Sequence, residues 1–219
     1  RLQSDLLTSA LVVYLVFGAM HAILPVVMHR RQCVGASMID VRAGGWMPMV
    51  SLVLVLALVH SLPGVSWLIW PFVLALDLLA MGLAAMTGGF LAVCAALVLT
   101  LVVAAAWLSG APAALPSLAP FLGVILLFAA VFALAGVLLP KWSRRLMLDD
   151  SEPNGIHARA LDLLPAMSGA LPFGLLILAV LRLPVANPTP IFGVALLLGV
   201  LLLGLSLLGR RPVLTLAAL

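Results

Sequence analysis

Seven apolar runs, at 6–28, 46–62, 67–86, 89–108, 118–139, 163–181 and 191–208, leave little room for any other kind of structure in this chain. Each is close to the length, about 17 to 25 residues, with which an α-helix crosses the hydrocarbon of a bilayer. Asp77 is the only Asp, Glu, Lys or Arg inside any of them. A soluble domain carries about 25% charged residues, whereas this chain of 219 residues carries 8% and is 65% hydrophobic. That balance excludes a soluble globule, a disordered chain and a collagen-like fibre. The net charge of +4 forms no basic stripe, so a nucleic-acid-binding module is excluded as well. The expected fold class is all-α, a polytopic transmembrane helix bundle whose first partner is the lipid bilayer.

The breaks between the runs have turn chemistry. Leu62-Pro63-Gly64-Val65-Ser66 and Thr87-Gly88-Gly89 are tight connections, and 109–117 and 182–190 are rich in Pro. The basic residues test the helix count, because Lys and Arg accumulate in cytoplasmic loops. With seven helices, Arg30, Arg31, Arg42, Lys141, Arg144, Arg145, Arg159, Arg210 and Arg211 share one side, and Arg1 and Arg182 share the other. This segregation predicts an N-terminus outside the cytoplasm and a seventh helix ending inside it. Trp46, Trp67, Trp70, Trp107 and Trp142 fall near helix ends and are expected to form an interfacial aromatic belt. Cys33 and Cys94 are expected to be free thiols, Cys94 packing inside the fourth helix. Arg supplies ten of the eleven basic residues, a bias that points to a GC-rich bacterial gene. Both ends read as cut, with no signal peptide, as in a piece of a longer protein.

An internal repeat is also expected. Residues 16–25, ending Leu24-Pro25, align with 131–140, ending Leu139-Pro140, at an offset of 115, and an Arg-Arg pair follows each. Leu62-Pro63 aligns with Leu183-Pro184 at an offset of 121, which lays Asp77 over Leu198 and the fourth helix over the residues from Val213. The reading is two parallel four-helix units, 1–117 and 118–219, with the second reaching only the start of an eighth helix. Tandem units of this kind, with Pro25, Arg30, Arg31, Pro140, Arg144 and Arg145, followed by a Leu-Pro hairpin, Trp70-Pro71-Phe72 and Leu76-Asp77-Leu78-Leu79, are similar to a class of large bacterial membrane proteins with twenty or more helices, grouped as a domain of unknown function. The resemblance implies an inner-membrane protein and carries over no catalytic residue.

The candidate polar site is Asp77 with His21. An ionised carboxylate at mid-membrane costs about 2.5 to 3.5 kcal/mol on insertion scales, so Asp77 should face protein or water and find a partner. It is either a proton- or cation-handling group or an acid that fixes helix packing through a Ser, Thr or backbone partner. His21, with helices one and three parallel, is expected about 8 Å deeper, out of direct reach but within a water-bridged relay. His29, His60 and His157 show no metal-ligand spacing. The cluster Asp149-Asp150-Ser151-Glu152 lacks the pattern of a calcium loop and reads as a solvated turn ending at Asn154-Gly155. Ala80 with Ala84, Ala92 with Ala96, Ala170 with Gly174 and Ala195 with Gly199 are expected helix-packing pairs.

No nucleophile elbow, zinc-protease motif or phosphate loop is present in the sequence, and no metal, cofactor or catalytic residue is expected. The leading functional expectation is a non-enzymatic scaffold or assembly protein that holds other membrane proteins. The alternative is a secondary transporter using Asp77, with the helix-breaking Pro25, Pro165 and Pro172 opening backbone carbonyls to a pathway. A membrane-embedded lipid-modifying enzyme with its site outside these residues is third.

Overall fold

The computed structural model describes residues 2–31, 46–61, 66–111, 119–146, 155–182 and 188–209. Among these residues the chain forms seven α-helices and no strand: α1 (Leu2–Arg31), α2 (Met47–Ser61), α3 (Ile69–Thr87), α4 (Phe90–Gly110), α5 (Ala119–Leu146), α6 (Gly155–Arg182) and α7 (Thr189–Gly209). Five contain stretches long and apolar enough to cross a membrane: Leu6–Leu24, Ile69–Thr87, Phe90–Gly110, Ala119–Trp142 and Leu163–Arg182. Met47–Ser61 and Thr189–Leu205 are shorter apolar helices. In hydrocarbon every backbone N–H and C=O must be satisfied within the protein, so apolar runs of this length have one solution.

Several helices are longer than their apolar runs. α5 continues through Pro140 to Leu146, and α6 begins at Gly155, eight residues before Leu163. Much of the polar stretch 141–162 between the fifth and sixth apolar runs is therefore helix, while 147–154, with the acidic cluster, lies outside the described residues. α6 contains both Pro165 and Pro172, and α1 runs through Pro25. Proline thus ends none of these helices, as is common where neighbouring helices compensate for the missing N–H.

The α3–α4 turn is specified by glycine. Gly88 has φ +70°, the left-handed region that L side chains resist, and its N–H donates to the Ala84 carbonyl at 2.9 Å. Thr87 Oγ1 donates to the Leu83 carbonyl at 2.9 Å, and α4 begins at Phe90.

Side-chain contacts give the topology. Trp107, late in α4, donates to the Ser66 carbonyl just before α3, so these helices are antiparallel. Cys94 donates to the Ala160 carbonyl near the starts of α4 and α6, and Arg182 donates to the Ser109 carbonyl near their ends, so these two are parallel. Gly136 of α5 meets Pro165 of α6, and Gly169 of α6 meets Leu202 of α7, both in antiparallel register. The bundle runs up and down throughout. By helix position, Arg30, Arg31, Lys141, Arg144, Arg145 and Arg159 fall at one end and Arg182 at the other.

α1, α2 and α3 pack mutually, as do α5, α6 and α7, and α4 joins the groups by packing on α2, α3 and α6. α5 also packs against α3. Two small clusters flank the main core. Ala22 and Leu83 pack with Leu79 between α1 and α3, and Ala133, Ala166 and Leu205 pack with Val137 and Leu201 among α5, α6 and α7.

The tryptophans at the two ends of the bundle do not form a simple belt. Trp70 and Trp107 are buried, while Trp46, Trp67 and Trp142 are exposed. Trp107 packs against Trp67, Trp70 and Phe121, and Trp70 against Phe121 and Phe128. These rings glue α3, α4 and α5 together, each good pair contributing about 0.5–1.5 kcal/mol beyond area burial.

Candidate functional site

Asp77 and Thr100 form the polar centre of the bundle. Asp77 lies eleven residues before Gly88 and Thr100 eleven after Gly89, so the α3–α4 turn sets them level. At 1.5 Å per residue both sit about 16 Å from the turn, near the middle of a bilayer's hydrocarbon. Asp77 is fully buried and Thr100 nearly so. Thr100 Oγ1 lies 2.9 Å from Asp77 Oδ1 and 2.8 Å from Oδ2, so one hydroxyl donor is shared by both carboxyl oxygens. Burying an acid away from water is costly unless it is hydrogen-bonded, and this contact offsets part of that cost.

Thr100 carries no motif that marks it in the sequence, yet reflecting Asp77 across Gly88-Gly89 finds it. The acid and its donor belong to adjacent antiparallel helices, and their contact therefore fixes the sliding register of α3 against α4.

His21 stands apart. Gly18 lies against Leu76, which brings His21 to within about 3 Å of Asp77 in depth instead of about 8 Å. The two nevertheless face different neighbours. His21 Nδ1 donates to the Phe17 carbonyl one turn earlier in α1 at 3.0 Å, and its ring lies on Phe17 with centroids 4.0 Å apart.

Other buried polar groups also tie backbone. Ser51 of α2, fully buried, donates to the Tyr14 carbonyl of α1 at 2.9 Å. Ser168, also buried, donates within α6 to the Pro165 carbonyl at 2.9 Å. The Cys94 thiol donates to Ala160 of α6 at 3.4 Å. Trp70 Nε1 is the one buried side-chain nitrogen or oxygen among the described residues that makes no hydrogen bond. No group of three His, Cys, Asp or Glu side chains comes together among the described residues.

Close helix approach occurs at positions other than some of the expected small pairs. Ala80, Ala84, Ala92 and Ala96 are buried as expected, but Ala170 and Gly174 are exposed. A Cβ on Gly174 or Gly199 would meet nothing within 4 Å, whereas one on Gly18 would lie 2.5 Å from Ser51 Oγ and one on Gly136 2.7 Å from Pro165 Cγ.

A groove of about 260 Å³ opens between α6 and α7 near the Arg182 end, lined by Phe173, Ile177, Leu181, Ile191, Phe192 and other apolar side chains. It has no polar lining, so it can accept hydrocarbon or an apolar side chain but offers nothing to orient a polar substrate. Compared with known protein families, curated proteins and solved structures, the chain matches none.

Proposed function

We propose that this chain is a non-enzymatic scaffold of the bacterial inner membrane, built from two parallel copies of a helical unit and holding other membrane proteins. The observation that carries the reading is the engagement of Asp77. Both its oxygens are occupied by Thr100 of the neighbouring helix, so the one acid of the membrane interior acts as a fastener between α3 and α4. Ser51 and Cys94 do the same across other helix pairs.

Three features support the repeat. The mutual packing of α1, α2 and α3 recurs in α5, α6 and α7. At the offset of 115, Gly18 and Ser51, which meet, correspond to Ala133 and Ala166, which share a cluster. At an offset of 122, Leu79 and Leu83, packed with Ala22, correspond to Leu201 and Leu205, packed with Val137. The second offset differs by one residue from the 121 of the Leu-Pro turns and lays Asp77 over Gly199, so the carboxyl belongs to the first unit alone. The bacterial origin rests on the Arg bias and on the resemblance to large bacterial membrane proteins.

The orientation follows from the charges, with the Lys141 end cytoplasmic. A cysteine placed between Arg182 and Pro188 should react with an impermeant thiol reagent added outside cells, and labelling only after lysis would reverse the topology. The scaffold reading predicts membrane partners that co-purify in constant proportion at native expression levels. A chain that always purifies alone would overturn it.

A transporter is the second reading, favoured by an acid at mid-membrane and by Pro165 and Pro172 within α6. It requires Asp77→Asn to abolish proton- or ion-coupled flux in proteoliposomes with folding intact, whereas the scaffold requires Asp77→Asn to leave partner retention unchanged.

A further inference from the structure

The contact between α3 and α5 joins the two units, and each half of that contact occurs a second time without its mate. On α5 the relevant stripe is Phe121, Phe128, Phe132, Ala135 and Leu139, none more than 8% exposed. At the offset of 115 it corresponds on α1 to Leu6, Val13, Phe17, Met20 and Leu24, which are 40–65% exposed. Other positions agree between the two helices: Val12 and its counterpart Leu127 are exposed in both, as are Val27 and Trp142. The change from buried in α5 to exposed in α1 thus falls along one face, the face that in α5 is turned into the bundle.

The mate of that stripe on α3 is Trp70, whose ring lies 6.2 Å from Phe121 and 5.9 Å from Phe128. At the offset of 122 Trp70 corresponds to Phe192 of α7, and half-buried Leu74 to Leu196. Trp70 is 6% exposed, but Phe192 and Leu196 are 72% and 70% exposed. Phe192 also borders the apolar groove of about 260 Å³ between α6 and α7, a recess large enough for a side chain from a neighbouring helix. By contrast, the α7 positions that match the α1-facing side of α3 are buried: Leu198 and Leu205 are covered as Leu76 and Leu83 are.

We infer that copies of this chain associate head to tail in the membrane, α1 of one copy packing on α7 of the next as α5 packs on α3 within a chain. The inference rests on the repeat reading and deepens the scaffold reading by naming a partner, a second copy of the chain. The interface is heterologous, joining two different surfaces, and the same step repeated builds a ring or a row. In this arrangement Leu6 and Val13 of one copy approach Phe192 of its neighbour.

The test uses the full chain in native membranes, with Cys33→Ser and Cys94→Ser as background and a short bifunctional thiol reagent. Co-expressed Val13→Cys and Phe192→Cys chains should give a band at twice the monomer mass, while either variant alone should not. A single chain carrying both substitutions should give a ladder of higher multiples. Leu6→Cys paired with Phe192→Cys repeats the test at the adjoining contact. A dimer band from Val13→Cys alone would mean that like faces meet and would overturn the proposal. So would absence of any dimer band when both thiols label with a membrane-permeant maleimide. If that absence is accompanied by retained co-purification of other membrane proteins, the head-to-tail contact fails and the scaffold reading stands.

Discussion

Trp107 of α4 lies nearly parallel to Phe121 of α5, with ring centroids 5.2 Å apart and planes 6° from parallel. The stack couples the end of one helix to the start of the next at the Arg182 end of the bundle, where Trp107 Nε1 also holds the Ser66 carbonyl at 3.1 Å. Phe121→Ala should lower stability by about 3–5 kcal/mol, as for other fully buried phenylalanines. Trp107→Phe keeps a ring but leaves the Ser66 carbonyl unpaired, and should cost less than Phe121→Ala. Reversible unfolding in mixed micelles measures both, and equal effects would remove the hydrogen bond and stack as separate contributions.

For the polar centre, Asp77→Asn preserves a carbonyl oxygen for the Thr100 hydroxyl and should change stability by less than about 1 kcal/mol. Thr100→Val removes the donor and leaves a buried acid without it, costing about 1–3 kcal/mol. The double variant Asp77→Leu with Thr100→Val should be more stable than Thr100→Val alone, since it removes both polar groups. A neutral Thr100→Val in the same unfolding measurement would show that the pair does not fasten α3 to α4.

The glycines separate by what a methyl group would meet. Gly136→Ala places a Cβ 2.7 Å from the Pro165 ring, which is built into α6 and cannot swing aside, and should destabilise the chain by at least 1 kcal/mol. Gly123→Ala and Gly174→Ala meet open space and should be neutral or stabilising, by up to about 0.5–1 kcal/mol from the gain in helix propensity. Apparent melting temperatures in detergent should follow this order.

Cys94 is buried and its thiol donates to Ala160 of the neighbouring helix. In a Cys33→Ser background it should react with a permeant maleimide much more slowly in the folded protein than after denaturation in SDS. Equal rates would mean that α4 and α6 separate readily.

The helix count and alternation were legible because a long apolar run in a membrane has few ways to satisfy its backbone, and because Pro-Gly and Gly-Gly breaks are short. Helix ends were less legible. Pro140 and the polar residues after it look like a stop, yet α5 continues to Leu146, since helix geometry past the apolar run is settled by neighbours and solvent and not by hydropathy. Trp70 and Trp107 carry the composition of an interfacial belt, but which side of a helix end faces protein depends on three helices at once. Asp77 announced that it needed a partner; identifying Thr100 required treating the turn at Gly88-Gly89 as a mirror. That His21 bonds to Phe17 of its own helix depends on helix rotation, which depth alone does not supply.

The two-glycine turn between α3 and α4 also bears on how the chain enters the bilayer during synthesis. α3 by itself must bring a carboxyl to mid-membrane, at about 2.5–3.5 kcal/mol for an unpartnered acid. Its partner Thr100 arrives only twenty-three residues later in translation, held level with the acid by Gly88 and Gly89. The pairing thus favours the hairpin over the single helix as the unit that settles in the bilayer, and lengthening the turn would delay it.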